Sequence, residues 1–211
     1  SPRYTPYHVP HRTEVLGFMT FLHGDVRFYN NLFVQQPVHP ALEKLAQRAK
    51  EEPNAWDDSN VEVGTFPYDG YPTFQEWDKQ FEGYCGMGSA PSDRYYSHLP
   101  VWAAGNVYFG GARPWEQEES PVMVPESVTL RLREEGGRYT LETDLYRKLP
   151  SVKTPFVSTA LLGEAFEPEE KFENPDGTPI QFDRDYFGRH REPNPLPGPF
   201  AQASEAEEAL F

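Results

Sequence analysis

A single cysteine, Cys85, stands among 211 residues. That excludes an intrachain disulfide and any cysteine-based metal site. It leans toward a reducing, cytoplasmic compartment without fixing one, because many secreted bacterial proteins also lack disulfides. Long apolar runs are missing as well. None approaches the roughly 20 residues needed to span a membrane. No nucleophile elbow or dinucleotide fingerprint occurs, and the stretch from Gly105 to Gly111 lacks the Lys and Ser/Thr of a phosphate loop. Positive charge is scarce: 19 Lys and Arg face 33 Asp and Glu, for a net charge of −14. The imbalance is uneven. Residues 1–50 carry six basic and three acidic side chains, the remainder thirteen and thirty. Such a surface repels phosphate backbones, which argues against nucleic acid and suits a neutral ligand such as a sugar.

Hydrophobic residues are also few, at 37%, but aromatics reach 15%. Twelve Tyr and fifteen Phe each bury a large area, so a sizeable core can still form. The 22 prolines disfavour long helices and favour turns and edge strands. Together these numbers point to a mainly β chain.

Two stretches carry the clearest local pattern. Residues 25–34 read Asp-Val-Arg-Phe-Tyr-Asn-Asn-Leu-Phe-Val, a short apolar strand with a paired-Asn corner inside it. Asn tolerates the left-handed conformation that a corner demands, and its amide can stack on neighbouring rungs. Residues 103–112 repeat the theme with Gly105-Asn106 before Val107-Tyr108-Phe109. Both look like rungs of a parallel β-helix, although two copies do not establish a repeat. Residues 14–21 form a further strand candidate. Pro40 opens a predicted helix over residues 40–52, with Leu42, Leu45 and Ala49 on one face. Thr73 and Glu76 have capping-box spacing and predict a second helix to residue 81.

From Ser127 the texture changes. Val128, Leu130 and Leu132 alternate with polar residues, Glu135-Gly136-Gly137 makes a turn, and Tyr139, Leu141 and Thr143 resume the alternation. This predicts a hairpin. Residues 156–162 read as another strand. Asn174-Pro175-Asp176-Gly177 reads as a turn between two more, so residues 127–187 are expected to form an antiparallel sheet of a sandwich. The Ala- and Glu-rich tail from Ala201 reads as a frayed helix. The expected organisation is parallel rungs with inserted loops and helices over 1–120, a β-sandwich portion over 121–200, and an acidic tail over 201–211.

Candidate chemistry is thinner. His8, His11 and Glu14 lie three residues apart, but Pro10 sits between the first two, so they cannot share a helix face. A hydroxyl-binding pocket wall suits them better than a zinc site; a solvated loop is the plainer reading. Asp57-Asp58 and Asp183-Arg184-Asp185 are adjacent acids, usually solvated loop residues; the second group could offer oxygens to calcium. Trp56, Trp77, Trp102 and Trp115 could stack on sugar rings or fill the core.

Several blocks together resemble glycoside hydrolase family 120 β-xylosidases. They are Thr5-Pro6-Tyr7-His8, Pro10-His11, Thr13-Glu14-Val15, residues 25–33, Gly105-Asn106-Val107-Tyr108, residues 172–177, Asp185-Tyr186-Phe187-Gly188 and Pro197-Gly198-Pro199-Phe200. The resemblance implies a right-handed parallel β-helix interwoven with an outer β-sandwich. It implies release of terminal xylose from xylo-oligosaccharides with retention, by two carboxyl groups about 5–5.5 Å apart and with no cofactor. It places both catalytic acids upstream of the Thr-Pro-Tyr-His block, and so upstream of Ser1, with no catalytic residue expected in this chain. The chain is therefore expected to be the C-terminal part of such an enzyme. Its expected partners are an N-terminal portion bearing the acids, the xylo-oligosaccharide substrate and further copies of itself. His8, His11, Glu14 and Arg27 are the expected pocket-lining residues. The alternative is a non-catalytic carbohydrate-binding or structural β-domain.

Overall fold

A computed structural model describes residues 24–51, 70–83, 85, 98–165, 170–202 and 207–209. The strands and helices, in chain order, are β1 (Val26–Tyr29), β2 (Leu32–Val34), α1 (Pro40–Glu51), α2 (Phe74–Lys79), β3 (Val101–Ala104), β4 (Val107–Phe109) and β5 (Val122–Val124). They continue with β6 (Leu130–Glu135), β7 (Arg138–Thr143), α3 (Leu145–Lys148), α4 (Thr159–Leu162), β8 (Glu164–Ala165), β9 (Glu170–Lys171) and β10 (Glu207–Ala209). The chain is mainly β.

The two rung-like stretches pair with each other in parallel. Val26 to Tyr29 run beside Val101 to Ala104, and Leu32 to Val34 beside Val107 to Phe109. A third strand, β5, lies in parallel on the far side of β4 and carries the parallel sheet past residue 120. Between the two sheets each stretch turns on one residue in the left-handed region. These are Asn30 (φ 59°), Gly105 (φ 68°) and Ser120 (φ 54°), and they stack. The bridge between Ala104 and Glu119 continues the first sheet on the approach to Ser120. Asn, Gly and Ser are short or bare, so the left-handed turn costs them less than it would a branched residue.

Across the second sheet like residues stand above like. Leu32, Val107 and Val122 form one ladder, Val34, Phe109 and Val124 another. Both ladders point into the core, where Val107 and Phe109 are fully buried. The opposite face carries Phe33 and Tyr108, stacked with ring centroids 4.9 Å apart. The core is shared with the later part of the chain. Leu145 and Tyr146 from α3, and Phe200, close over Phe109 and Val124, with Leu141 and Leu196 at the margin. Burying one such aromatic stabilises by about 1.5–3 kcal/mol.

The hairpin forms as expected, with six-residue strands joined at Gly136 and Gly137 (φ 59° and 80°), the two positive φ values of a type I′ turn. Its alternation misleads in one respect: Leu130 and Leu132 are exposed rather than turned into the core. The described tail residues Glu207–Ala209 are a strand rather than a helix, adding antiparallel to β7 and completing a three-stranded sheet. Residues 156–162 are not a strand either. Ser158 makes one bridge to Gln181, and the chain then turns into α4, closed at Gly163. The Asn174–Gly177 turn is present, flanked by a single bridge between Glu173 and Pro179 in place of two full strands. Helix α1 spans Pro40–Glu51, yet Leu42 and Leu45 are exposed and Ala46 is buried; the Ala49 side chain lies outside the described residues. Helix α2 has the expected capping box between Thr73 and Glu76. The strand candidate over residues 14–21 lies outside the described residues.

Candidate functional site

Of the four residues expected to line a sugar pocket, Arg27 is described; His8, His11 and Glu14 lie outside the described residues. Ser1, ahead of which both catalytic acids are expected, lies outside them as well. Arg27 sits on β1 directly opposite Trp102 on β3. Its side chain is 6% exposed. Nε donates to the Leu162 carbonyl at 2.6 Å and Nη2 to the Glu164 carbonyl at 2.6 Å. Nη1 donates to the Asp25 carboxylate at 2.7 Å. The flat guanidinium lies 4.1 Å from the Trp102 ring centre and 4.6 Å from that of Phe172. A planar cation can bond at its rim while its face packs on aromatic rings. Arg27 therefore fastens the α4–β8 segment to the first parallel sheet.

Around it opens a cleft of about 990 Å³, lined by Arg27 and Trp102, by Phe74, Trp77 and Asp78 of α2, and by the α4–β8 segment with Lys171. That volume is at the upper end of small-molecule sites. Among the described lining residues two basic groups, Arg27 and Lys171, balance two acidic ones, Asp78 and Glu164. Asp78 and Glu164 are both exposed. Neither has the burial that distinguishes a general acid from an ordinary carboxylate. A second cleft, about 620 Å³, shares Arg27 and Leu162 and includes Tyr29 and Phe33. Burial pushes the Tyr29 phenol up, against the opposing pull of Arg27.

Behind the parallel sheet lies a buried polar network. Asn106 is fully buried. Its Oδ1 accepts from the Asn31 backbone at 2.8 Å and from Asn31 Nδ2 at 3.0 Å, tying one corner to the next. Its Nδ2 donates to the Phe28 carbonyl at 2.9 Å and to Glu118 Oε1 at 2.8 Å. Glu118 Oε2 accepts from Tyr108 OH at 2.6 Å. Burial, followed by the bond to Glu118 and that group's charge, drives the Tyr108 pKa far upward, so the phenol stays protonated and donating. Asn106 was legible as a corner residue. Glu118 was not, because nothing in Glu-Gln-Glu-Glu distinguishes the one acid that turns inward.

Asp185 is buried at the hub of a loop. Its Oδ1 accepts from the Phe187 and Arg189 amides at 2.9 and 2.8 Å, and Oδ2 from the Ala201 amide at 2.9 Å. Burial alone would raise its pKa; the three amides, with Arg189 nearby, outweigh burial and hold it low. Asp183 faces His190 at 3.7 Å. The Asp185 oxygens thus serve backbone donors rather than a calcium ion. Among the described residues no group of three or more His, Cys, Asp or Glu could hold a metal. Asp57-Asp58 and Trp56 lie outside those residues. Trp115 is core, and Trp77 and Trp102 line the larger cleft. No helix among the described residues is long and apolar enough to cross a membrane.

No family model matches this chain, and no curated protein matches it. Among solved structures it is similar to XylC in complex with xylose, with a TM-score of 0.70 and 24% identity. The likeness covers 97% of this chain and 29% of XylC, so the chain spans less than a third of the protein it matches. At that identity the two share a fold: a mainly β chain that follows one portion of XylC almost from end to end.

Proposed function

We propose that this chain is the C-terminal part of a retaining glycoside hydrolase of the β-xylosidase type, acting on xylo-oligosaccharides. The observation that carries the proposal is the fold likeness, over 97% of the chain, to XylC, a protein held with xylose. On this reading β1 to β5 are rungs of a right-handed parallel β-helix, and β6, β7 and β10 belong to an outer β-sandwich. The catalytic carboxylates come from an adjoining portion of the enzyme that precedes Ser1 in the fold. Two features support that division. Asp78 and Glu164, the acids of the larger cleft, are solvent-exposed. In addition, among the described residues β1 and β2 are the first strands of their parallel sheets and lie at the edge, and a parallel edge accepts a further rung. His8, His11, Glu14 and Arg27 then support the sugar pocket, Arg27 by holding the α4–β8 wall. Homo-oligomeric assembly belongs to the same proposal.

The test is reconstitution. The purified 211-residue chain is expected to leave an aryl β-xyloside intact and to become active when the complementary portion is co-expressed. Strong hydrolysis by the 211-residue chain on its own would refute the division of labour.

The aromatic cleft favours a second reading, a carbohydrate-binding β-domain without catalysis. Under it the chain is monomeric, melts cooperatively and retains xylan without cleaving it. Gain of aryl β-xyloside hydrolysis on co-expression belongs to the first reading alone and separates the two.

A further inference from the structure

We propose that the cleft between α2 and the α4–β8 segment binds the ring faces of a neutral pyranose oligosaccharide, with Phe74 and Trp77 as its stacking wall. This rests on the carbohydrate reading above and names the surface that does the binding.

Three observations select that ligand class. The first is charge. Among the described lining residues Arg27 and Lys171 are matched by Asp78 and Glu164, and four acceptors already engage Arg27: the carbonyls of Leu162, Glu164 and Asp25 and the Asp25 carboxylate. An anion such as a phosphate would gain Lys171 and meet two carboxylates. The second is the state of the aromatics. A cationic ligand seeks an open aromatic face, but Arg27 already covers one face of Trp102. Phe74 is 40% exposed, and Trp77 is half-buried beside Phe81 on the same helix. The exposed Phe74 ring, with Trp77 in the same lining, presents flat apolar surface that suits the axial C–H groups of a pyranose. The third is the polar fringe: Gln75, Asp78, Lys171 and the Thr159 segment supply donors and acceptors around the aromatics. Flat apolar surface ringed by balanced polar groups, in a cleft of about 990 Å³, matches a polyhydroxylated ligand of more than one ring.

The rings come together through β3 and α2. Pro72 accepts from the Val101 amide at 3.1 Å, anchoring the start of α2 at the head of β3. The capping box on Thr73 then starts the helix so that Phe74 faces Trp102, with centroids 6.5 Å apart.

The experiment is a fluorescence titration of the 211-residue chain with xylotriose, inorganic phosphate and choline. Phe74→Ala and Trp77→Ala are compared with Leu132→Ala, an exposed control on the hairpin. Far-UV circular dichroism checks that all three fold. Xylotriose is expected to bind the unsubstituted chain, and each cleft variant to weaken it roughly tenfold while the control does not. Xylotriose binding that ignores both cleft variants overturns this proposal and leaves the carbohydrate reading standing. Phosphate or choline binding that depends on Phe74, with no xylotriose binding, overturns it too. If in addition the reconstituted protein neither binds nor hydrolyses any xylo-oligosaccharide, the functional reading falls with it.

Discussion

Arg27 shows how one side chain can have more than one role. Its chain position and polarity suggest a sugar-pocket residue; in the structure it borders two clefts. Its bonds, however, are those of a fastener. Arg27→Lys keeps the charge but loses the planar fork and both stacking contacts. We expect it to cost about 1–3 kcal/mol, read as a lowered melting temperature, since the Leu162 and Glu164 carbonyls lose their charged donor. An unchanged melt would show that α4–β8 is held by other means. Glu118→Gln replaces an acceptor with a donor facing either Tyr108 or Asn106 and should cost a similar amount. Asp185 makes a pH prediction. Its folded pKa is depressed, so its contribution is present above the unfolded value of about 3.9 and is lost as pH falls through the lower folded value. Thermal melts from pH 7 downward should therefore fall steeply below about pH 4, and Asp185→Asn should flatten that limb. An equally steep limb in the variant would assign the acid sensitivity elsewhere.

At the scale of elements the corners are decisive. A Cβ on Gly105 would stand 2.5 Å from Asn30 Oδ1, at a φ already unfavourable for side chains. Gly105→Ala should cost at least about 1–2 kcal/mol, whereas Ser120→Gly at the equivalent corner should not lower stability. Equilibrium denaturation of the pair tests the stacking of corners; equal destabilisation would contradict it. This corner logic was legible in the sequence, because Asn30-Asn31 and Gly105-Asn106 announce themselves by residue type. So were α2, by its capping box, and the hairpin, by Gly136-Gly137. The failures have a common cause. Residues 156–162 and the tail are short segments whose state is set by distant partners, Gln181 for one and β7 for the other. Composition does not encode a partner. For the same reason β5 went unseen: three residues, Val-Met-Val, become a parallel strand only through Val107 to Phe109. The cleft was half legible. Trp77 and Trp102 were marked as aromatics, but only the register with Arg27 and the capped start of α2 put them on one wall.

For the molecule as a whole, the sharing of one core matters most. Phe200 near the end of the chain closes over Phe109 in the parallel sheet, so the rungs and the later loops should melt together. The parallel edge supplies a further expectation. Asn31 accepts from Val107 and the Gln35 amide donates to Phe109, so by strand alternation the amides of Leu32 and Val34 point away from β4. In the 211-residue chain these two amides should exchange hydrogen quickly. In the reconstituted enzyme they should be protected, if a further rung pairs there. Equal exchange in both states would remove the support the edge gives to the proposed assembly.

The ladder of Leu32, Val107 and Val122 carries one more consequence, for the order in which the protein is made. The first pair is 75 positions apart and the second 15. Closing the longer loop costs about 1.4 kcal/mol more chain entropy. Among the described strands β1 and β2 come first, and their described partners β3 and β4 leave the ribosome some seventy residues later, so β4 and β5 should zip before β2 joins β4. The strand bearing Phe33 must be kept from non-native strands throughout that interval. An assembly waiting to receive its next rung on the same side faces this hazard twice.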